Sequence, residues 1–165
     1  RPSPKVRCIS GALDALLFLA WKLLLQIGNW INFVNRFEMG AHFATSPHLD
    51  QAIELMKAWG FSWATVGFVW DKQKVNPGFY TMSQVELCLI GKRGKIPKPR
   101  GARNIRQLVS EMRGKHSAKP AEVRKRIEEM FPEQNKIELF AREAPEGWDV
   151  HGNEVESDII LEASL

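Results

Sequence analysis

Only two cysteines occur in the 165 residues, Cys8 and Cys88, and they form neither a Cys-x-x-Cys pair nor part of a ligand cluster. That excludes a disulfide framework or a structural zinc as the organising feature, and a reducing cytoplasm is the expected setting. The chain has no Gly-x-Ser-x-Gly, no Walker loop, no His-Glu-x-x-His and no Gly-x-Gly-x-x-Gly. Its four histidines, His42, His48, His116 and His151, are dispersed. Neither a hydrolase nor a metalloenzyme has support, and no metal is expected. Internal repeats are absent too. A further lack is one of charge sign: Leu87 to Ser110 holds no acidic residue.

The same stretch holds seven cations: Lys92, Arg93, Lys95, Lys98, Arg100, Arg103 and Arg106. Its prolines and glycines favour an extended loop. Such a loop can track phosphates with an affinity that falls as salt rises, although charge runs are usually solvated surface. The net charge of +4 is compatible with a nucleic-acid partner without demanding one. With 44% hydrophobic residues the chain can bury a core. Its length suits one domain, or one domain with an appendage.

Residues 12–34 read ALDALLFLAWKLLLQIGNWINFV. A membrane span needs roughly 20 predominantly apolar residues. Asp14, Lys22, Gln26 and Asn29 interrupt this one. The basic start fits a signal peptide, but no small-residue cleavage site follows. The expectation is an apolar helix covered by the domain or by a protein partner, with no membrane involved.

From Ala44 onward the segments are legible. Thr45-Ser-Pro47 predicts a hydroxyl-capped helix start. Ala52, Ile53, Leu55, Met56 and Trp59 form its apolar stripe, and Gly60 ends it. Phe61–Trp70 predicts a buried strand, Asp71–Gly78 a polar loop and Val85–Gly91 a second strand. Leu108–Met112 is a short strand or a turn. Pro120–Met130 is a helix stopped by Pro132, and Lys136–Ala141 is a third strand. Strands separated by helices predict an α/β layer fold with a mainly parallel sheet. Ligands of such sheets bind beyond the carboxyl ends of the strands, and the Arg142–Glu154 loop leaves a strand there.

Three constellations can carry chemistry besides the basic loop. In the Arg142–Glu154 loop an Asn-Glu pair can bond ribose hydroxyls, and glycine lets backbone approach closely; an ordinary surface loop is the plain alternative. Tyr80 near Glu86 can hold a planar base by stacking and hydrogen bonding, or be a tyrosine and a glutamate at a strand entrance. Lys119 beside the N-terminus of the Pro120 helix is suited to a carboxylate or phosphate, or is an exposed lysine at a turn.

In order, Ala44-Thr-Ser-Pro-His-Leu49, Lys57-Ala-Trp-Gly-Phe61, Phe68-Val-Trp-Asp-Lys72, Gly78-Phe-Tyr-Thr81, Glu86-Leu-Cys-Leu-Ile-Gly-Lys-Arg-Gly94, His116-Ser-Ala-Lys-Pro120, Ile137-Glu-Leu-Phe-Ala-Arg142 and Gly147-Trp-Asp-Val-His-Gly-Asn-Glu154 resemble the MT-A70 family. These are S-adenosylmethionine-dependent adenine-N6 methyltransferases. The text is most similar to the phage and bacterial branch, which implies DNA rather than RNA. The resemblance implies a Rossmann-like methyltransferase sheet with permuted motif order, incomplete at its N-terminal side. It implies that Asn153 and Glu154 hold the cofactor ribose and that Arg142 lines the same pocket. Lys119 faces the methionine carboxylate, and Glu86 and Tyr80 lie near cofactor and base. Lys92, Arg93, Lys95, Arg100 and Arg103 are then the candidate nucleic-acid contacts.

The family's Asp-Pro-Pro-aromatic signature is absent, and the chain contains no Pro-Pro dyad at all. Met39-Gly-Ala-His-Phe43 stands where an apolar strand is expected. The implied division is a divergent apolar segment over 1–43, an MT-A70-like domain over 44–156 and a tail over 157–165. In the family that signature ends a central strand, and its loss is expected to expose a sheet edge, with the apolar segment covering it. Three functional readings remain: a truncated or degenerate adenine-N6 methyltransferase, with no catalytic residue assignable here; a non-catalytic nucleic-acid-binding subunit or pseudoenzyme; and, against the expectation for the apolar segment, a protein tethered to a membrane by it.

Overall fold

The computed structural model describes residues 5–9, 37–114 and 118–158. The apolar segment 12–34 and His116 lie outside them. Among the described residues seven strands form one sheet: β1 (Lys5–Ile9), β2 (Phe37–Thr45), β3 (Ser62–Asn76), β4 (Ser83–Lys92), β5 (Leu108–Ser110), β6 (Lys136–Leu139) and β7 (Trp148–His151). Their order across the sheet is β5-β3-β4-β2-β1-β6-β7. β1, β2, β6 and β7 run parallel, as do β3 and β5, while β4 is antiparallel to both β2 and β3. The α/β, mainly parallel reading holds.

Two helices among the described residues cover opposite faces. On one side α1 (Leu49–Ala58) packs Ala52, Leu55 and Met56 with Trp59 and Phe61 against Leu89, Ile137 and Leu139. On the other side α2 (Ala121–Met130) packs Val123 and Ile127 with Phe131 against Met39, Ala41, Phe43, Phe68 and Trp70. β2 therefore serves both cores, which is why seven of its nine residues are buried.

That finding corrects the expectation of a missing strand before Ala44. Phe37–Thr45 is a central strand with β1 on one side and β4 on the other. No edge is left open there; the outer described strands are β5 and β7. Composition hid it. Gly40, Ala41, His42 and Ala44 have weak strand preference, and burial on both faces removes the alternation that marks a strand.

α1 ends in a Schellman arrangement. Gly60 has φ +76°, its N–H donates to Lys57 O (2.8 Å), and Phe61 N–H donates to Met56 O (3.1 Å). Its entry differs from the expected hydroxyl cap. A 3-10 turn, Ser46–His48, precedes the helix, and the Thr45 hydroxyl pairs with the His48 ring at 2.8 Å, not with a backbone N–H. β3 also differs. It runs through the expected polar loop as far as Asn76, because Asn76 pairs with Ser83 across a hairpin. The Asp71 carboxylate accepts from Gln84 Nε2 (2.7 Å) and Gln73 N–H (2.9 Å), which steadies the irregular stretch. The first half of β3 is exposed, not buried, because β5 pairs only with Val69–Asp71.

Candidate functional site

Strand direction decides which residues can meet. β1, β2, β6 and β7 end at one edge of the sheet, where Ile9 is level with His42 and Leu139, and Leu139 with His151. Antiparallel β4 begins at that edge: Glu86 sits beside Thr45 on one side and Trp70 on the other. Glu86, Arg142, Asn153 and Glu154 therefore all emerge at this carboxyl edge. Lys119 joins them just ahead of α2, its Nζ 2.5 Å from Glu86 Oε2. Four neighbouring strands from β4 to β6 span about 14 Å, the reach of an extended nucleoside carrying an amino-acid tail.

Glu86 is the hub of one half. Its Oε1 lies 3.5 Å from Lys72 Nζ, and both residues are buried, at 8% and 4% exposure. Lys119 Nζ also stands 5.2 Å from the Phe43 ring centre and 5.8 Å from that of Trp70. Two ammonium groups thus share one carboxylate on an aromatic floor. A buried cluster with excess positive charge is costly unless an anion completes it. Lys72 escaped the sequence reading although it closes the quoted Phe68–Lys72 text; nothing in a Trp-Asp-Lys tripeptide reveals that the lysine points inward.

The other half holds the Arg142–Glu154 pair, 2.9 Å apart and largely exposed, with Asn153 exposed beside it. The loop is closed by backbone. Gly152 packs so tightly on the preceding loop that a Cβ there would come within 2.1 Å of Ala141 O. Its glycine therefore serves loop-to-loop packing. Asp158 exchanges two hydrogen bonds with Val150, of 2.8 and 2.9 Å, and folds the following segment back along β7.

The α2 N-terminus differs from the expectation of free N–H groups beside Lys119. Glu111 occupies it: the N–H groups of Ala121 and Glu122 donate to its two oxygens at 3.2 and 3.3 Å. The Glu111 carbonyl in turn accepts from Trp70 Nε1 at 2.7 Å. An acid ten residues upstream of a helix gives no sequence signal of this.

Tyr80 is fully exposed on the hairpin between β3 and β4, at the carboxyl edge with the cofactor candidates. The cationic candidates are not there. Lys92 ends β4 beside Met39 and Ser62, at the opposite edge of the sheet. Arg93 serves α1 instead: its guanidinium donates to Trp59 O and to Gly60 O (3.2 Å), and lies 4.7 Å from the Phe61 ring centre. Arg100 lies against Phe131, 4.8 Å from its ring centre. Lys95 and Arg103 are exposed.

Burial pushes the Cys88 thiol up to about 12, against an opposing pull from the Lys119 charge, so it is no nucleophile. Burial lowers His42 to about 4, which keeps a neutral imidazole beside Trp59. Among the described residues, no three His, Cys, Asp or Glu side chains gather as a metal site. No helix among them is long and apolar enough to cross a membrane.

Comparison with known proteins identifies the family. The Type II methyltransferase M.MunI of Mycoplasma sp is 53% identical over 113 residues, which make up 68% of this chain and 48% of that protein. The chain thus spans about half the length of the curated relative it matches. The MT-A70 family profile matches residues 41–154, from the middle of β2 to the Asn-Glu pair after β7, and the chain belongs to the MT-A70 family.

Proposed function

We propose that the chain provides the cofactor and nucleic-acid binding surface of an S-adenosylmethionine-dependent adenine-N6 methyltransferase, with DNA as substrate. The observation that carries this reading is the buried Lys72–Glu86–Lys119 cluster, with its excess positive charge, at the edge where Arg142, Asn153 and Glu154 also emerge. The donor set fits the cofactor. Lys119 offers an ammonium to the methionine carboxylate, and Glu86 fixes that ammonium in place. Asn153 and Glu154 offer an amide and a carboxylate to the ribose hydroxyls. The Arg142 ion pair steadies the Glu154 carboxylate through Oε1.

The bound cofactor supplies an electrophilic methyl on a sulfonium. Held by Lys119, Asn153 and Glu154, it would make that methyl available to adenine N6, with sulfur as the leaving group and one amine proton lost to solvent. This chain's residues contribute by holding and orienting, so rate comes from proximity and fixed charge. The adenine must be unpaired or flipped to present N6, and Tyr80, fully exposed at the same edge, is the candidate to stack on it.

A second reading, a nucleic-acid-binding subunit without its own turnover, is favoured by one observation: Lys92, Arg100 and Arg103 gather at the sheet edge away from the cofactor candidates. Incubation with methyl-labelled S-adenosylmethionine and adenine-containing DNA separates the two. Label in N6-methyladenine supports the enzyme. Cofactor and DNA binding without label supports the subunit. Failure to bind S-adenosylmethionine overturns the cofactor assignment shared by Lys119, Asn153 and Glu154.

A further inference from the structure

At the opposite edge of the sheet from the cofactor candidates, a hollow of about 410 Å³ opens between the first half of β3 and the loop that follows β4. Phe68, Ile90, Ile105, Met130 and Phe131 form its walls, and Trp63 stands at its mouth, 40% exposed. Lys92, Arg100 and Arg103 also line it, and no carboxylate does. The Arg100 Nε is buried without an acceptor. An orphaned guanidinium donor costs free energy unless something accepts from it. The hollow borders strand backbone as well, since β5 pairs only with Val69–Asp71 and leaves β3 without a ladder partner upstream on that side among the described residues, where the Gln107 side chain donates to Val66 O (2.6 Å).

Apolar and aromatic walls, cations of one sign and an open strand edge suit one chemistry. We propose that this hollow takes an unpaired base of a single-stranded nucleic acid, with the adjoining phosphates held by Lys92, Arg100 and Arg103. The proposal deepens the nucleic-acid reading above and rests on it. The walls accept any base by its apolar faces, and the cations track the backbone, the arrangement by which single strands are held without sequence reading. It also gives a role to a basic loop that cannot reach the cofactor edge: it grips the strand at a distance from the target adenine.

The test is fluorescence anisotropy with labelled ten-nucleotide oligothymidylate and an abasic strand of the same length. The intact strand is expected to bind about tenfold tighter than the abasic one. Ile105→Trp, which fills the hollow and leaves every charge, is expected to bring the two within about twofold. Arg103→Glu, at an exposed site, is expected to weaken both strands about tenfold and to flatten the salt dependence, whereas Lys57→Glu on α1 changes either by less than about twofold. A preference for the intact strand that survives in a folded Ile105→Trp overturns the proposal. Should Ile105→Trp not fold, equal effects of Arg103→Glu and Lys57→Glu overturn it. Absence of binding to both strands would remove the nucleic-acid reading itself.

Discussion

At position 86 a single carboxylate stands between two buried ammonium groups, and this arithmetic governs the site. Removing the carboxylate while keeping its shape leaves both lysines uncompensated. Glu86→Gln is therefore expected to destabilise the chain by about 3–5 kcal/mol, read as a lower urea midpoint, whereas a change within about 0.5 kcal/mol would mean the cluster is solvated. His42 gives a second residue-scale test. Its folded pKa of about 4 lies below the unfolded value, so the unfolded chain takes up more protons between about pH 4 and 6.5. Stability is complete above that window and falls as pH drops through it, by about 3 kcal/mol in total. Thermal melts of His42→Leu from pH 7 to 4 are expected to lose this part of the acid sensitivity, and an unchanged pH profile would refute the assignment. Single residues were partly legible beforehand. Lys119 and Glu86 were named from short motifs and do meet, but the ion pair between them joins positions 33 apart, which no local pattern encodes.

At the scale of elements, both helices depend on side chains that arrive from elsewhere. Arg93, at the end of β4, satisfies the Trp59 and Gly60 carbonyls at the end of α1, where a cation also meets the negative end of the helix. Arg93→Met is expected to cost about 1–2 kcal/mol in chemical unfolding while leaving the salt dependence of nucleic-acid binding unchanged; a shallower salt slope would return Arg93 to the phosphate contacts. Glu111 does the reverse for α2, placing a carboxylate on its first N–H groups. Glu111→Ala is expected to cost about 1 kcal/mol by the same measurement. Strong periodicity made α1 and α2 readable, because each buries one stripe against the sheet. Gly60 and Pro132 marked their ends for reasons of backbone geometry alone. β2 and β7 were not readable. β2 is buried on both faces, and the four residues of β7 are too few to show a period. β3 was readable as a strand but not in length, since its second half is a polar hairpin arm held by pairing with β4.

For the whole molecule, strand order does what composition could not. It sends Glu86, Lys119, Arg142, Asn153 and Glu154, widely separated in the chain, to one edge of the sheet. The same order sends Lys92, Arg100 and Arg103 to the other, so cofactor candidates and cationic loop form two surfaces instead of one site. Nothing local in the chain marks that separation, because contiguity in a family pattern says nothing about which end of a strand a residue occupies. Only the alternation of parallel and antiparallel neighbours around β4 separates them. On the proposed function, the carboxyl-edge rule for open α/β sheets assigns the nucleoside to the first surface. Calorimetric titration with S-adenosylhomocysteine and with methylthioadenosine, which lacks the amino-acid tail, tests this most directly. The account predicts that the chain prefers the former by at least about tenfold, and that Lys119→Met reduces this preference to about twofold at most, a lost charge-assisted bond being worth about 1.5–3 kcal/mol. Equal affinity of the unaltered chain for both ligands, or a preference untouched in Lys119→Met, would contradict it.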